Sequence, residues 1–144
     1  MIVVPYKAEH LLALQMQPGQ GYCLRFVTPE YANALESQWA FTALDGEQVV
    51  AVGGVMEMWE NRALAWAFID RRAGGYFPSL HKAVKRVLDL LPYRRIEAET
   101  PCSFEQGHRW LKMLGFELEA ERMRAFRVDG GDSALYARVK HDWA

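Results

Sequence analysis

Residues 63–76, ALAWAFIDRRAGGY, form the stretch of sequence that decides the fold. Residues 63–69 are nearly all apolar, which is typical of a central strand buried on both faces. Residues 70–76 make a short connection that contains two glycines, and Pro78 then suits the first turn of a helix. This stretch therefore predicts a buried strand, a glycine loop and a helix N-terminus, in that order.

The helix that begins there is predicted over residues 77–91. Its apolar residues recur mostly at spacings of three and four, which places them on one face. Residues 95–100 alternate in polarity and predict the next strand. Because this helix joins the two strands as a right-handed crossover, strands 63–69 and 95–100 are predicted to be parallel neighbours.

The remaining segments predict further strands and short helices. Thr28-Pro29 is a helix start, Asp45-Gly46 is a hairpin turn signal, and Gly115 suits a helix C-terminus. Gly53-Gly54 inside a strand indicates a bulge or a close backbone approach. Together the segments predict one domain over residues 1–144, with a mixed α/β sheet. The other predicted elements are strands at residues 2–6, 39–44, 48–58, 116–126 and 134–139, helices at 8–14, 31–36 and 104–114, and a loop at 16–21.

The composition excludes several classes of protein. The chain has 144 residues, of which 51% are hydrophobic and 24% charged, so it can bury a core and is not intrinsically disordered. A net charge of -1 disfavours nonspecific nucleic-acid binding. No apolar run approaches the roughly 18 residues of a membrane span, and the N-terminus does not resemble a signal peptide. Two cysteines make neither a disulfide scaffold nor a zinc site. We expect a cytoplasmic monomer or homodimer with no metal, nucleic acid or membrane partner.

The glycine loop at the start of helix 77–91 has the chemistry of a phosphate cradle. A helix start presents unbonded N–H groups and the positive end of the macrodipole, and glycines let an anion approach the backbone. Arg71 and Arg72 add positive charge. The spacing is neither a Walker loop nor a dinucleotide fingerprint. The alternative interpretation is a tight strand-to-helix connection that needs glycine.

Two motifs and the order of elements resemble the GCN5-related N-acetyltransferases (GNAT). Residues 71–76, RRAGGY, are similar to the family loop Arg/Gln-x-x-Gly-x-Gly/Ala: Arg71 and Gly74 match, whereas Tyr76 stands at a Gly or Ala position. Residues 107–116, GHRWLKMLGF, resemble the family's fourth helix and the Leu-Gly-Phe that follows it. The chain is also similar to small GNAT-like proteins encoded by tailed bacteriophages.

The resemblance implies a fold and a ligand. The fold is a central mixed, mostly antiparallel, twisted sheet that is flanked by helices and splays between its fourth and fifth strands. Here the two parallel strands would pair near their start and part near Ile69 and Thr100. The ligand is acetyl-CoA, with its thioester in that gap. The implied contacts are Phe68 and Ile69 for the pantetheine arm, Arg71, Arg72, Gly74, Gly75 and Tyr76 for the pyrophosphate, and Thr100 and Leu111 near the thioester.

The family reaction is attack of an amine on the thioester, which needs a base, dipoles for the oxyanion and a proton for the thiolate. The chain departs from the family's usual side chains. Leu111 occupies the position of the proton-donating Tyr, and Phe104 lies near that of a frequent Asn. Arg62 or Ala63 lies near that of a strand carboxylate. Water serves as the base in some members.

Two residues are the candidate replacements. His108 shares a helix face with Phe104 and Leu111, so it is a candidate proton donor; the alternative is a surface or interhelix histidine. Glu57, with Glu60 nearby, is a candidate base; the alternative is a solvated turn carboxylate.

Other residues have both a functional and a structural interpretation. Glu97 and Glu99 share one strand face and would bind an amine or form a polar sheet face. Cys102, at a strand-to-helix turn, is a nucleophile or a small buried residue. A cationic helix face would contact the CoA 3′-phosphate or simply face solvent; it consists of Lys82, Lys85 and Arg86. Several tryptophans would line an acceptor cleft or the core, namely Trp39, Trp59, Trp66 and Trp110.

Three functions follow, of which the first is preferred. The first is an acetyl-CoA-dependent N-acyltransferase that acts on a primary amine of a small molecule or a protein. The second is a GNAT-fold binding or structural module with weak or no turnover, for which a phage-associated role is one option. The third is another α/β nucleotide binder. Acceptor loops vary freely within one fold, so the acceptor is left open as a small-molecule or protein amine.

Overall fold

The computed structural model describes residues 1–141. Seven strands and four α-helices occur in this part of the chain, with 3₁₀ helices at Pro18–Phe26 and Ala73–Tyr76. The strands are β1 (Ile2–Pro5), β2 (Ala40–Asp45), β3 (Gln48–Trp59), β4 (Arg62–Ile69), β5 (Arg95–Pro101), β6 (Glu117–Met123) and β7 (Ser133–Val139), and the helices are α1 (Ala8–Ala13), α2 (Pro29–Ala34), α3 (Phe77–Leu90) and α4 (Glu105–Met113).

The strands form a mixed sheet in the order β1-β2-β3-β4-β5-β7-β6. The pairs β1–β2, β2–β3, β5–β7 and β6–β7 are antiparallel, and β4–β5 is parallel. The parallel register joins Arg62 with Arg95, Ala63 with Ile96 and Leu64 with Glu97, at the start of both strands. The predicted mixed α/β sheet and the predicted parallel neighbours are therefore confirmed.

The first of two compact units comprises residues 1–56 and 66–88. Thr28 Oγ1 accepts a hydrogen bond of 3.2 Å from the Tyr31 N–H and so caps α2, as predicted. The Tyr6 hydroxyl donates to the Ala32 carbonyl oxygen at 2.7 Å, which attaches α2 to the start of the chain. The core of this unit contains Tyr6, Leu11, Leu14, Ala32, Leu35, Ala40, Val49, Val52 and Phe68.

The second unit comprises, among the described residues, 57–65 and 89–141. The β5–β7 register runs from Arg95–Val139 to Pro101–Ser133 and buries Ile96 and Tyr136. Helix α4 ends at Met113 with Leu114 as its C-cap, and the following Gly115 has a φ of +93°, the left-handed conformation that glycine adopts most easily. The predicted glycine cap is therefore confirmed.

Four local expectations need correction. The loop predicted at residues 16–21 is largely a 3₁₀ helix, Pro18–Phe26, and the glycine loop 70–76 contains another, Ala73–Tyr76. Strand β4 is not buried throughout, since only Ala63 and Phe68 are fully buried and the other side chains are half-buried. The register shift of the β2–β3 pair lies between Ala43 and Leu44 rather than at Gly53-Gly54.

The glycine pair in β3 marks a close backbone approach, the other predicted possibility. A Cβ atom on Gly54 would lie 2.4 Å from the Trp39 carbonyl oxygen and 2.7 Å from the Ala40 Cα, a distance at which no side chain fits. A Cβ atom on Gly53 would lie 3.1 Å from the Trp66 carbonyl oxygen. Glycine is therefore required here by packing of the backbone rather than by a turn.

Candidate functional site

The turn from β4 to α3 is organised around the buried carboxylate of Asp70. This residue is 1% exposed and accepts hydrogen bonds from the Gln15 N–H at 2.9 Å and the Arg72 N–H at 2.8 Å. The guanidinium of Arg72 binds the same carboxylate. The Arg72 hydrogen bond is the main reason that the pKa of Asp70 is lowered to about 2. Arg72 is thus engaged inside the protein, whereas no ion pair of the Arg71 guanidinium occurs within residues 1–141.

Gly74 and Gly75 lie in the 3₁₀ helix that leads into α3, and both are exposed. A Cβ atom at either position would have no atom within 4 Å, so there is open space beside this backbone. The preceding Arg71 N–H donates to the Gln15 carbonyl oxygen at 2.7 Å, and the Ala73 N–H donates to the Asp70 carbonyl oxygen at 3.0 Å. The N–H groups of Arg71 and Ala73 are therefore already bonded within the chain.

Tyr76 closes the same turn through its side chain. Its hydroxyl donates a hydrogen bond to a carboxylate oxygen of Asp45, at the end of β2. This hydrogen bond is the largest cause of the raised pKa of Tyr76. The side chain of Tyr76, which departs from the family pattern, is thus bonded within the protein.

The predicted pantetheine contacts, Phe68 and Ile69, lie at the end of β4. The Phe68 ring is 8% exposed and meets the Tyr31 ring edge-on, with 6.4 Å between ring centroids. Its side chain therefore belongs to the core. The Ile69 N–H donates to Gln20 Oε1 at 2.9 Å, and its carbonyl oxygen accepts from the Gln17 N–H at 2.9 Å. The backbone atoms that an added strand would use at Ile69 are occupied by the chain itself.

Thr100 and Leu111, predicted to lie near the thioester, belong to the second unit. Thr100 is 4% exposed and packs against α4, where a Cβ atom on Gly107 would lie 2.1 Å from Thr100 Oγ1. Leu111 is half-buried, and its carbonyl oxygen accepts from the Phe116 N–H at 3.0 Å. Gly107 is thus the residue that lets α4 approach β5 closely.

His108 is held by hydrogen bonds at both ring nitrogens. Its Nε2 lies 3.0 Å from the Cys102 carbonyl oxygen and its Nδ1 lies 2.7 Å from the Tyr136 hydroxyl. Because a carbonyl oxygen only accepts, Nε2 carries the hydrogen, and Nδ1 of the neutral ring accepts from Tyr136. Tyr136 is 1% exposed, and burial is the largest cause of its raised pKa. His108 can pass a proton to another group only after one of these hydrogen bonds breaks.

Glu57, the candidate base, is exposed at the end of β3 and also holds a tyrosine. The buried Tyr93 hydroxyl donates to Glu57 Oε1 at 2.9 Å. Both predicted catalytic side chains, His108 and Glu57, therefore accept a hydrogen bond from a buried tyrosine. The nearby Glu60 is exposed.

Glu97 and Glu99 differ in environment although they share a strand face. Glu97 is 5% exposed and binds Arg62 at 2.5 Å and Arg95 at 2.7 Å. The Arg62 hydrogen bond is the largest cause of the lowered pKa of Glu97. Arg95 also binds Glu119 at 2.5 Å, so the carboxylate of Glu97 belongs to a network of ion pairs. Glu99 is exposed.

Cys102 lies beside an open pocket of about 400 Å³ in the second unit. Its Sγ is 3.5 Å from the Glu121 carbonyl oxygen. The charged groups of the pocket neutralise one another, because Arg122 binds Asp132 at 2.6 Å and Arg127 binds Asp129 at 2.9 Å. The residues that line the pocket are Cys102, Ser103, Arg122, Arg127, Gly131 and Asp132.

The remaining candidates lie on the surface or in the core. Lys82, Lys85 and Arg86 are exposed on α3, in the unit that carries the glycine turn. Trp66 packs against the core of that unit, with its ring centroid 5.4 Å from that of Tyr6. Trp59 is 54% exposed, and the guanidinium carbon of Arg62 lies 4.7 Å from the centroid of its ring.

No family model matches the sequence, and no curated protein matches it either. Many solved structures do match. The ribosomal-protein-S5-alanine acetyltransferase of Vibrio fischeri has 18% identity and a TM-score of 0.69, with 99% of this chain and 94% of that chain covered. A GNAT-family acetyltransferase from Bacillus anthracis has 14% identity and a TM-score of 0.66, over 95% and 93% of the chains. The chain has the GNAT fold. Salmonella typhimurium yncA, solved with its cofactor acetyl-CoA, has 12% identity and a TM-score of 0.60, over 73% and 66% of the chains.

Within the GNAT fold, the predicted contacts divide between the two units. Residues 68–76 lie in the first unit, whereas Glu57, Thr100, His108 and Leu111 lie in the second. In the first unit, Arg71, Arg72, Gly74, Gly75 and Tyr76 follow one another along the turn, where Arg72 binds Asp70 and Tyr76 binds Asp45. In the second, α4 brings His108 against Tyr136 and Gly107 against Thr100.

Several residues that organise this GNAT-fold turn were not predicted. Asp70 directly follows the buried strand and precedes two arginines, which is a signal for a local ion pair. Gln17 and Gln20 lie in the segment QMQPGQ, and the repeated glutamines of this segment are the feature of the sequence that could have indicated their role. Within residues 1–141, no cluster of His, Cys, Asp and Glu side chains is placed to hold a metal ion. No helix in that range has the length and apolar character of a membrane span.

Proposed function

We propose that this protein is an acetyl-CoA-dependent N-acyltransferase that moves an acetyl group to a primary amine of a small molecule or a protein. The observation that carries the proposal is the exposed glycine turn at the start of α3 in a GNAT fold. The solved proteins of this fold include two named as acetyltransferases and one solved with acetyl-CoA. We also propose a cytoplasmic location, from the composition of the chain.

The pyrophosphate of acetyl-CoA would bind to the backbone N–H groups of Gly74, Gly75 and Tyr76. Open space beside both glycines supports this placement, because a phosphate needs close contact with the backbone. Arg71 would supply the positive charge, since Arg72 is paired with Asp70. Lys82 and Arg86, exposed on α3, would contact the 3′-phosphate.

Acetyl-CoA supplies the thioester, and the amine nitrogen forms a bond to its carbonyl carbon as the carbon–sulfur bond breaks. A proton must leave the amine and another must reach the thiolate. We assign the first to water or to Glu57, whose carboxylate is exposed. We assign the second to the Nε2–H of His108 in its imidazolium form, which becomes the neutral ring when it donates; this N–H must first leave the Cys102 carbonyl oxygen. Thr100 and Leu111 would contact the acyl end of the ligand.

The test is a thermal unfolding experiment with acetyl-CoA, followed by an activity screen. Ligand at about 100 times its dissociation constant should raise the free energy of unfolding by roughly 2.7 kcal/mol. ADP and free acetate serve as controls for the nucleotide and acyl parts. Polyamines, aminoglycosides and peptide amines are then tested as acceptors, with thiol release as the readout. A chain that binds neither acetyl-CoA nor CoA would overturn the proposal.

A second candidate function is a GNAT-fold module with weak or no turnover, such as a phage-associated structural protein. Two observations favour it. Leu111 and Phe104 stand where the family usually has a Tyr and an Asn. His108 has both ring nitrogens engaged. Tight binding of CoA, with no thiol release for any acceptor, would favour this candidate over the enzyme.

A further inference from the structure

Strand β4 has two backbone edges. At the C-terminal end of the strand, other segments of the same chain form hydrogen bonds along both edges. The Asp70 N–H donates to the Val50 carbonyl oxygen of β3 at 2.9 Å. Alternate residues of a strand direct their backbone groups to opposite edges, so Ala67 and Ile69 direct theirs to the edge away from β3. On that edge, residues 15–17 run antiparallel to the end of β4, with a bridge between Met16 and Asp70.

The side-chain amide of Gln20 continues this edge toward Ala67. Its Oε1 accepts from the Ile69 N–H at 2.9 Å and its Nε2 donates to the Ala67 carbonyl oxygen at 2.7 Å. The Gln17 backbone N–H donates to the Ile69 carbonyl oxygen at 2.9 Å. The Gln17 side chain donates to Gln20 Oε1 at 3.2 Å and so orients the amide.

One amide group thus bridges a carbonyl oxygen and the N–H two residues later on the same strand. An extended ligand that adds to a strand edge makes the same pair of hydrogen bonds with two successive amides, the C=O of one and the N–H of the other, because the two groups of a single trans amide point in opposite directions. The pantetheine arm of an acyl-CoA contains two amides in succession. The primary amide of Gln20 therefore presents, from within the chain, the acceptor and the donor that such a ligand would bring.

Resting on the proposed function, we propose that the Gln20 side chain is an intramolecular latch that an acyl-CoA displaces when its two pantetheine amides bind Ala67 and Ile69. The latch is defined as the two hydrogen bonds of the Gln20 amide to these residues. Only molecules in which the latch is open can bind the pantetheine arm. The apparent affinity for a pantetheine ligand is therefore the intrinsic affinity multiplied by the fraction of molecules with an open latch. A ligand that lacks the pantetheine arm does not need this edge and is unaffected.

The experiment compares wild type, Gln20→Ala and Leu24→Ala by titration calorimetry with CoA and with ADP. Gln20→Ala removes the amide, and we expect CoA to bind about tenfold more tightly, with no change for ADP. Leu24, 55% exposed on the same 3₁₀ helix, is the matched control and should change neither affinity. Gln20→Glu is a second variant: it keeps an acceptor for the Ile69 N–H but places an oxygen against the Ala67 carbonyl, so it should also bind CoA more tightly than wild type.

Hydrogen exchange at the Ile69 amide tests the latch without ligand, and it should be at least tenfold faster in Gln20→Ala than in wild type. Equal or weaker CoA binding by both Gln20 variants would overturn the latch but leave the proposed function intact. Exchange at Ile69 that is the same in wild type and Gln20→Ala would also overturn it. No CoA binding by any of the chains would overturn the proposed function, and the latch with it.

Discussion

Asp70 and Arg72 form a two-pronged ion pair across a single intervening residue, with Arg72 Nε 2.8 Å from Asp70 Oδ1 and Arg72 Nη2 2.9 Å from Oδ2. The carboxylate is fully buried, whereas the arginine side chain is 45% exposed. The pair therefore fixes the path of the chain between β4 and α3 from the inside. The adjacent Arg71 forms no such ion pair within residues 1–141.

We predict that Asp70→Asn lowers the free energy of unfolding by about 2 kcal/mol. The asparagine cannot accept from Gln15, the Arg72 backbone and the Arg72 side chain together, and it leaves the guanidinium without a counter-charge. Urea unfolding measures the change. Glu99→Gln, which neutralises an exposed carboxylate, is the control and should stay close to wild type. Equal losses in both variants would contradict the central role of Asp70.

The acid stability of the protein should depend on the same carboxylate. Its pKa of about 2 in the folded chain lies below the unfolded value of about 3.9, so ionised Asp70 stabilises the fold above about pH 4. That contribution, about 2 kcal/mol, is lost as the pH falls from about 4 to 2. As the pH falls across this range, the free energy of unfolding should decrease more steeply for wild type than for Asp70→Asn. Parallel pH curves would contradict this assignment.

Gly74→Val should weaken CoA binding at least tenfold, about 1.4 kcal/mol, because a branched side chain would keep the pyrophosphate away from the backbone. The fold should tolerate the change, since a Cβ atom there meets no atom within 4 Å. Gly74→Ala should give a smaller loss in the same direction. Calorimetry on variants with wild-type melting temperatures separates binding from folding, and unchanged CoA affinity in Gly74→Val would refute this placement.

Gly107→Ala should destabilise the protein by about 1–3 kcal/mol, although alanine normally favours a helix over glycine. The new Cβ atom would lie 2.1 Å from Thr100 Oγ1 and 2.9 Å from Phe104 Cδ2, so α4 must shift. Gly75→Ala is the matched control, because open space surrounds that position. Thermal unfolding of the two variants measures the difference. A Gly107→Ala chain as stable as the control would show that α4 adjusts without cost.

His108→Ala should lower the free energy of unfolding by about 2 kcal/mol, because it leaves the buried Tyr136 hydroxyl without its acceptor. In the His108→Ala, Tyr136→Phe double variant, part of that loss should be recovered. A double-mutant cycle by urea unfolding measures the coupling. Additive losses would show that the hydrogen bond contributes nothing to stability.

A catalytic role for His108 makes a separate prediction, since a proton donor contributes on the order of 10²-fold in rate. His108→Ala should lower kcat by about that factor and leave CoA affinity nearly unchanged, whereas Tyr136→Phe should retain most of kcat. Steady-state rates with an acceptor from the amine screen test both variants. Equal turnover in wild type and His108→Ala would remove the catalytic role.

The order of helices and strands was largely predictable because its signals act over a few residues. Thr28 caps α2, Gly115 ends α4 in the left-handed conformation, and the turn after Asp45 joins β2 to β3. The parallel neighbours β4 and β5 followed from the helix between them. The glycine turn at Gly74 and Gly75 was also recognisable, since glycine next to a helix start is a local feature.

The sequence by itself thus determined the elements, their order and the place of the glycine turn. Only the tertiary structure decided the side-chain partners: Tyr136 for His108, 28 residues apart, Arg62 for Glu97, 35 apart, and Ile69 for Gln20, 49 apart. Helix caps, turns and periodicity depend on sterics and hydrogen bonds between neighbouring residues. Contacts between distant residues depend on sheet register and helix packing, which are set by the cooperative burial of the whole core and not by any short stretch of sequence.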